Sequence, residues 1–159
     1  MVPLHHYRNS IAMLCKKQYL ADTYGAFDGG RYFDYIEEPF QDYRFSIVVE
    51  NEITPYGFTE KITNCFAAMT IPVYLGATKI GKLFNPDGII QFNQHDDIET
   101  VLKQCTKEFY EERIPAIIDN FNRVNSDKSS SDILYEKYLK NDAGQLSPEE
   151  LMNAIINKN

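Results

Sequence analysis

Apolar positions in the middle of the chain change period twice, and each change marks an element. Phe45-Ser46-Ile47-Val48-Val49 is a short β-branched run almost free of polar alternation, the pattern of a parallel strand buried on both faces. Glu50-Asn51 ends it. The residues that follow, through Phe58, include Thr54, Pro55 and Gly57, so a turning loop is expected at the carboxyl end of that strand. Thr59 then stands as a helix cap, and Ile62, Cys65, Phe66 and Met69 fall at i, i+3, i+4 and i+7, the core-facing stripe of an α-helix. Glu60 and Lys61 occupy its first turn. Ile71-Pro72-Val73-Tyr74-Leu75 returns as a second buried strand, with its proline near the start, where a missing donor costs least. Together these elements make a βαβ unit.

The flanks read less sharply. Arg8 to Lys17 is expected to be a helix, opened by Arg8 and carrying Ile11, Leu14 and Cys15 on one face. Between Gly25 and Asp42 the chain is loop-like and rich in aromatics; these either pack on the core or stack on a base, with Tyr32 and Arg31 the residues placed to meet a ligand. After Gly76, a short helix is expected over Ala77 to Leu83, a turn at Asn85-Pro86-Asp87-Gly88, and a strand from Ile89 to Phe92. Asp96 and Glu99 form a capping-box pattern ahead of Ile98, Val101, Leu102 and Cys105, so His95-Asp96-Asp97 reads as a cap rather than a metal site. Further helices are expected over Lys107 to Arg113 and Ile114 to Phe121. Asn125 to Ser131 has the composition of a polar linker, followed by helices over Asp132 to Leu139 and from Ser147 onward. The expected division is an α/β domain over residues 1–124, with a mostly parallel, Rossmann-like sheet flanked by helices, and a linker with C-terminal helices over 125–159.

Composition narrows the partners. Hydrophobic residues at 43% and charged residues at 25% suit a globular chain, and no run approaches the roughly 20 apolar residues of a membrane span. A net charge of −7 argues against nucleic acid or an anionic membrane as the main partner. Cys15, Cys65 and Cys105 each fall at an apolar helical position, which favours buried free thiols and a reducing, cytoplasmic compartment.

In a βαβ unit, ligands bind beyond the carboxyl ends of the strands, where the helix amino terminus offers free N–H groups to an anion. Thr59, Glu60 and Lys61 stand there. A lysine at that point neutralises a phosphate, while the neighbouring carboxylate is tolerated if it turns aside to accept from sugar hydroxyls. A nucleotide carrying ribose fits this pairing; spacing alone leaves open an ordinary capped helix with two solvated charges. His5 and His6 lack a carboxylate or cysteine at ligand spacing and read as surface residues.

Tyr43-Arg44-Phe45, Glu50-Asn51, Thr59-Glu60-Lys61 and Ile71-Pro72-Val73-Tyr74-Leu75-Gly76 together resemble the donor-binding half of the α-1,3-fucosyltransferases, glycosyltransferase family 10. That family carries a pattern close to Y-K-F-x-x-x-x-E-N, then T-E-K, then I-P-[IV]-Y-W-G. Two departures stand out: Gly57 occupies the place of the family's usual tyrosine, with Tyr56 beside it, and Leu75 replaces tryptophan. The resemblance covers roughly Arg8 to Asn122 and implies one half of a two-domain GT-B enzyme. It implies inverting transfer of fucose from GDP-fucose, or a related GDP-sugar, to a glycan hydroxyl, without a bound metal or other cofactor. Donor contacts are then expected from Arg8, Glu50, Asn51, Tyr56, Thr59, Glu60 and Lys61. The family's general base belongs to the other, acceptor-binding domain, so no catalytic base is expected in this chain and a separate acceptor domain is the implied partner. A stand-alone nucleotide-sugar binding module without turnover is the alternative.

Overall fold

A computed structural model describes residues 4–25, 32, 34–35 and 38–125. The expected linker beyond Asn125 and both C-terminal helices lie outside these residues, as does Arg31.

The βαβ unit forms, with strand β1 over Phe45–Val49, helix α2 over Glu60–Ala67 and strand β2 over Ile71–Leu75, and helix α1, His5–Gln18, ahead of it; α2 ends two residues before Met69, the last position of its expected apolar stripe. A third strand, β3, Ile90–Gln91, completes a parallel sheet in the order β1-β2-β3. Register pairs Phe45 with Ile71 and Val73 with Ile90, so all three carboxyl ends point to one edge. Helices α3 (Ile98–Leu102), α4 (Lys107–Glu112) and α5 (Ile114–Asn125) follow. This is an α/β fold.

Strand alternation explains why β2 is buried along its whole length. Ile71, Val73 and Leu75 enter a core with Ile11 and Cys15 of α1, Ile98 and Val101 of α3, Tyr110 of α4 and Ile117 and Phe121 of α5. Tyr74 points to the opposite face, among Ile62, Cys65 and Phe66 of α2 and the buried Leu83 and Phe84. A sheet covered on both sides leaves its edge of strand ends as the open ground for a ligand.

Helix α2 stops where Met69 takes a left-handed conformation, φ 54°, a position that usually favours glycine. Burial of the Met69 side chain offsets that strain, and the Tyr110 hydroxyl donates to the Met69 carbonyl at 2.7 Å. Tyr110 thereby ties α4 to the α2–β2 turn.

Several expected boundaries move. Helix α1 begins at His5 rather than Arg8, because Leu4 takes the cap position and Arg8 N–H makes the first-turn bond to Leu4 O, 2.8 Å. Asp97, not Asp96, caps α3 by accepting from Thr100 N–H at 3.2 Å, while Asp96 accepts from Asn93 N–H at 2.7 Å. Cys105 falls beyond that helix and is partly buried. The expected helix after Gly76 is a 3₁₀ turn at Ile80–Lys82, and Asn85 caps a second at Pro86–Gly88. Tyr32 and Tyr35 are exposed, 76% and 71%, whereas Phe40 packs against the α2 face. Among the described residues no helix is long and apolar enough to cross a membrane.

Candidate functional site

Glu50 leaves β1 with its N–H still bonded to Leu75 O at 2.9 Å, so the ladder carries it one residue past the strand. This continuation aims its side chain under the start of α2. Its Oε1 accepts from Thr59 N–H at 2.9 Å, and its Oε2 accepts from the Thr59 hydroxyl at 2.8 Å and from Lys61 Nζ at 3.2 Å. Glu50 is 3% exposed. The sequence suggested a carboxylate lining the crevice; the structure puts it beneath, loaded with partners that lie 9 and 11 residues away. A buried carboxylate is tolerable here because its oxygens are satisfied and both a cation and a helix amino terminus face it.

Thr59 has extended backbone and works in two directions: its hydroxyl donates to Glu50 and its oxygen accepts from Lys61 N–H at 3.4 Å and from Lys61 Nζ at 3.3 Å. Lys61 therefore spends two of its three ammonium donors inward. Its side chain remains 31% exposed. Glu60, also in the first turn, is exposed.

Across the carboxyl end of β1, α1 brings a second cation to the same edge. Leu4 N–H donates to Asn51 O at 2.9 Å, and Arg8 Nη1 donates to Asn51 Oδ1 at 3.3 Å. Arg8 Nη2 lies 3.2 Å from His5 Nδ1; a guanidinium only donates, so His5 accepts. His5 thus holds Arg8, a task its bare spacing in sequence did not disclose.

The loop between β1 and α2 is pinned by main chain. Thr78 N–H donates to Thr54 O at 2.8 Å and Lys79 N–H to Pro55 O at 2.9 Å. Thr54 Oγ1 closes the turn by accepting from Gly57 N–H at 2.7 Å, and a Cβ on Gly57 would sit 2.8 Å from that same oxygen. A side chain at position 57 therefore requires the Thr54 hydroxyl to shift and give up the bond that closes this turn. Tyr56, next to it, is 36% exposed and has Lys79 Nζ 5.2 Å from its ring centroid. Lys79 carried no signal in the sequence; its place follows from the loop it anchors.

The structure gathers Arg8, Asn51, Thr59 and Lys61 around the end of β1, with Glu50 below and Tyr56 on the adjoining loop. Two cations and the amino terminus of α2 face one edge, an arrangement suited to an anion. Residues 3–111 match the family model described as glycosyltransferase family 10 (fucosyltransferase), C-terminal domain. Neither the search of curated proteins nor that of solved structures returns a match.

Proposed function

Because the chain belongs to glycosyltransferase family 10, the fucosyltransferases, we propose that it is the donor-binding half of such an enzyme and holds GDP-fucose or a related GDP-sugar. The observation that carries this reading is the approach of Arg8 to Asn51 at the same strand end where Glu50 organises Thr59 and Lys61. A nucleoside diphosphate needs charge-assisted donors for its phosphates, and Lys61, Arg8 and the start of α2 supply them without a metal. Glu60, exposed in the first turn, accepts from ribose or sugar hydroxyls. Asn51 and Tyr56 complete the wall of the site.

In transfer, an acceptor hydroxyl attacks the anomeric carbon from the face opposite GDP. The bond to the β-phosphate oxygen breaks, its electron pair leaves with GDP, and configuration inverts. Lys61 and Arg8 meet the charge that grows on that oxygen, so their stabilisation increases toward the transition state. The acceptor hydroxyl gives its proton to a general base, for which Glu50 is unsuited because Thr59 and Lys61 occupy both its oxygens. We therefore assign that base, and the wall that orients the acceptor glycan, to a separate acceptor domain.

Calorimetry of the chain with GDP, UDP and ADP tests the reading. A preference for GDP is expected, and equal or absent heats for all three would overturn it. Incubation with labelled GDP-fucose and N-acetyllactosamine-type acceptors tests the division of labour: no transfer is expected from this chain alone, and robust transfer would place the base within it.

A further inference from the structure

Gly76 follows β2 at the point where the strand end meets the floor of the site. A Cβ built on it would lie 2.5 Å from Glu50 Cγ, 2.5 Å from the Tyr74 hydroxyl and 2.7 Å from Tyr74 Cζ. Gly76 is not among the positive-φ residues, so space rather than backbone conformation requires glycine here. Neither neighbour has room to yield. Tyr74 is fully buried with its hydroxyl accepting from Ala77 N–H at 3.0 Å, and Glu50 is held by three hydrogen bonds.

We propose that Gly76 and Tyr74 are positioning residues for Lys61: they seat the Glu50 carboxylate at one height, and Glu50 in turn aims the ammonium at the donor diphosphate. The inference rests on the donor-site reading above. The link between floor and cation is short, since Lys61 Nζ reaches Glu50 Oε2 at 3.2 Å, already at the long end for a hydrogen bond. A carboxylate pushed up by an added methyl group breaks that contact or drags the ammonium with it, and displacements of about 1 Å are costly wherever charge must meet charge. Burial pushes the Tyr74 phenol well above its ordinary range, and the Glu50 carboxylate, which shares a hydrogen bond with it, adds to the effect, so Tyr74 stays protonated and donates to the anion.

The test compares GDP with guanosine, because only the first carries the diphosphate. Affinities for both are measured by calorimetry or NMR titration on the wild type, Gly76→Ala and Tyr74→Phe. In Gly76→Ala the GDP-to-guanosine affinity ratio is expected to fall about tenfold, the scale of one charge-assisted hydrogen bond, with guanosine binding unchanged. Tyr74→Phe adds no volume and is expected to lower the ratio about threefold, a fraction of the same bond. It decides the matter if Gly76→Ala does not fold. An unchanged ratio, or equal losses for both ligands, overturns the positioning role while leaving the donor site standing. A wild type that binds GDP no better than guanosine overturns the donor-site reading and this inference with it.

Discussion

Lys61 Nζ stands 3.2 Å from Glu50 Oε2, yet the lysine side chain is 31% exposed and the carboxylate side chain only 4%. The pair is therefore asymmetric. Removing the lysine leaves a buried anion without its cation, held by the neutral donors of Thr59 and the Tyr74 hydroxyl, whereas removing the anion leaves a cation that water can reach.

The first prediction follows from that asymmetry. A solvated Lys61, one of the two readings that spacing leaves open, could be truncated at little cost in stability; the buried carboxylate beneath it instead predicts that Lys61→Ala costs about 1–2 kcal/mol, below the roughly 3–5 kcal/mol of a fully buried pair. The double variant Lys61→Met/Glu50→Gln is expected to recover part of the loss, since no buried charge remains. Urea melts of both proteins check this, and equal stability of Lys61→Ala and wild type would refute it.

A second prediction concerns the ligand. Lys61→Ala is expected to weaken GDP binding by about 1–3 kcal/mol, and Arg8→Ala by less, because Asn51 and His5 already engage both terminal nitrogens of Arg8. Titration calorimetry at two salt concentrations measures both, and a larger loss for Arg8→Ala would reverse the assignment of the main phosphate contact.

A third prediction lies away from the site. Asn120, fully buried on α5, accepts from Asn85 N–H at 2.7 Å and donates to Asn85 O at 3.0 Å, closing the turn before β3 as a partner strand would. A Cβ on Gly88 would sit 2.7 Å from Asn120 Nδ2 and 3.3 Å from the Ala116 backbone. Gly88→Ala is expected to destabilise by about 1–3 kcal/mol, as overpacking does, and Asn120→Leu by a similar amount through two unpaired main-chain groups. Thermal melts decide; a neutral Gly88→Ala would mean that α5 shifts freely.

The fourth prediction is a pH dependence. Burial raises the Cys105 thiol from 9.0 to about 11 and the Tyr110 phenol from 10.0 to about 12. Groups held neutral by folding contribute fully below their ordinary values, and that contribution is lost as pH rises through the raised ones. Stability is thus expected to fall between pH 9 and 12, and the difference between wild type and Tyr110→Phe to shrink from pH 10 upward. Urea melts at pH 8, 10 and 11 follow it, and a constant difference would show that folding does not raise the Tyr110 phenol.

The βαβ unit was legible because its signals are local: β-branched runs, a threonine cap and a helical stripe each act within a few residues; both strands and the start of the helix match, while its end falls short of Met69, which takes a left-handed turn instead. The start of α1 was less so, since His5 and His6 add no apolar periodicity and the cap residue Leu4 makes no side-chain cap bond. Asp96 and Asp97 compete for one helix, and the competition is settled by Asn93, which gives Asp96 another use. Within the site, Thr59 and Lys61 at the strand edge were readable from order and spacing, whereas Arg8 and Asn51 were readable only through the family resemblance. Their division of labour was not. Whether a carboxylate after a strand faces a crevice or lies under it depends on Thr59, Lys61 and the space above Gly76, none of which periodicity reports.

The main-chain bonds that join Thr78 to Thr54 and Lys79 to Pro55 hold the loop at the site's rim through atoms that every residue possesses as acceptors and all but proline possess as donors. Side chains at Glu52, Ile53 and Tyr56 can therefore be exchanged without loosening that latch. On the proposed donor-site reading, directed evolution has a place to begin at this rim: a library at these three positions varies the loop surface while the main-chain anchor beneath it stays the same.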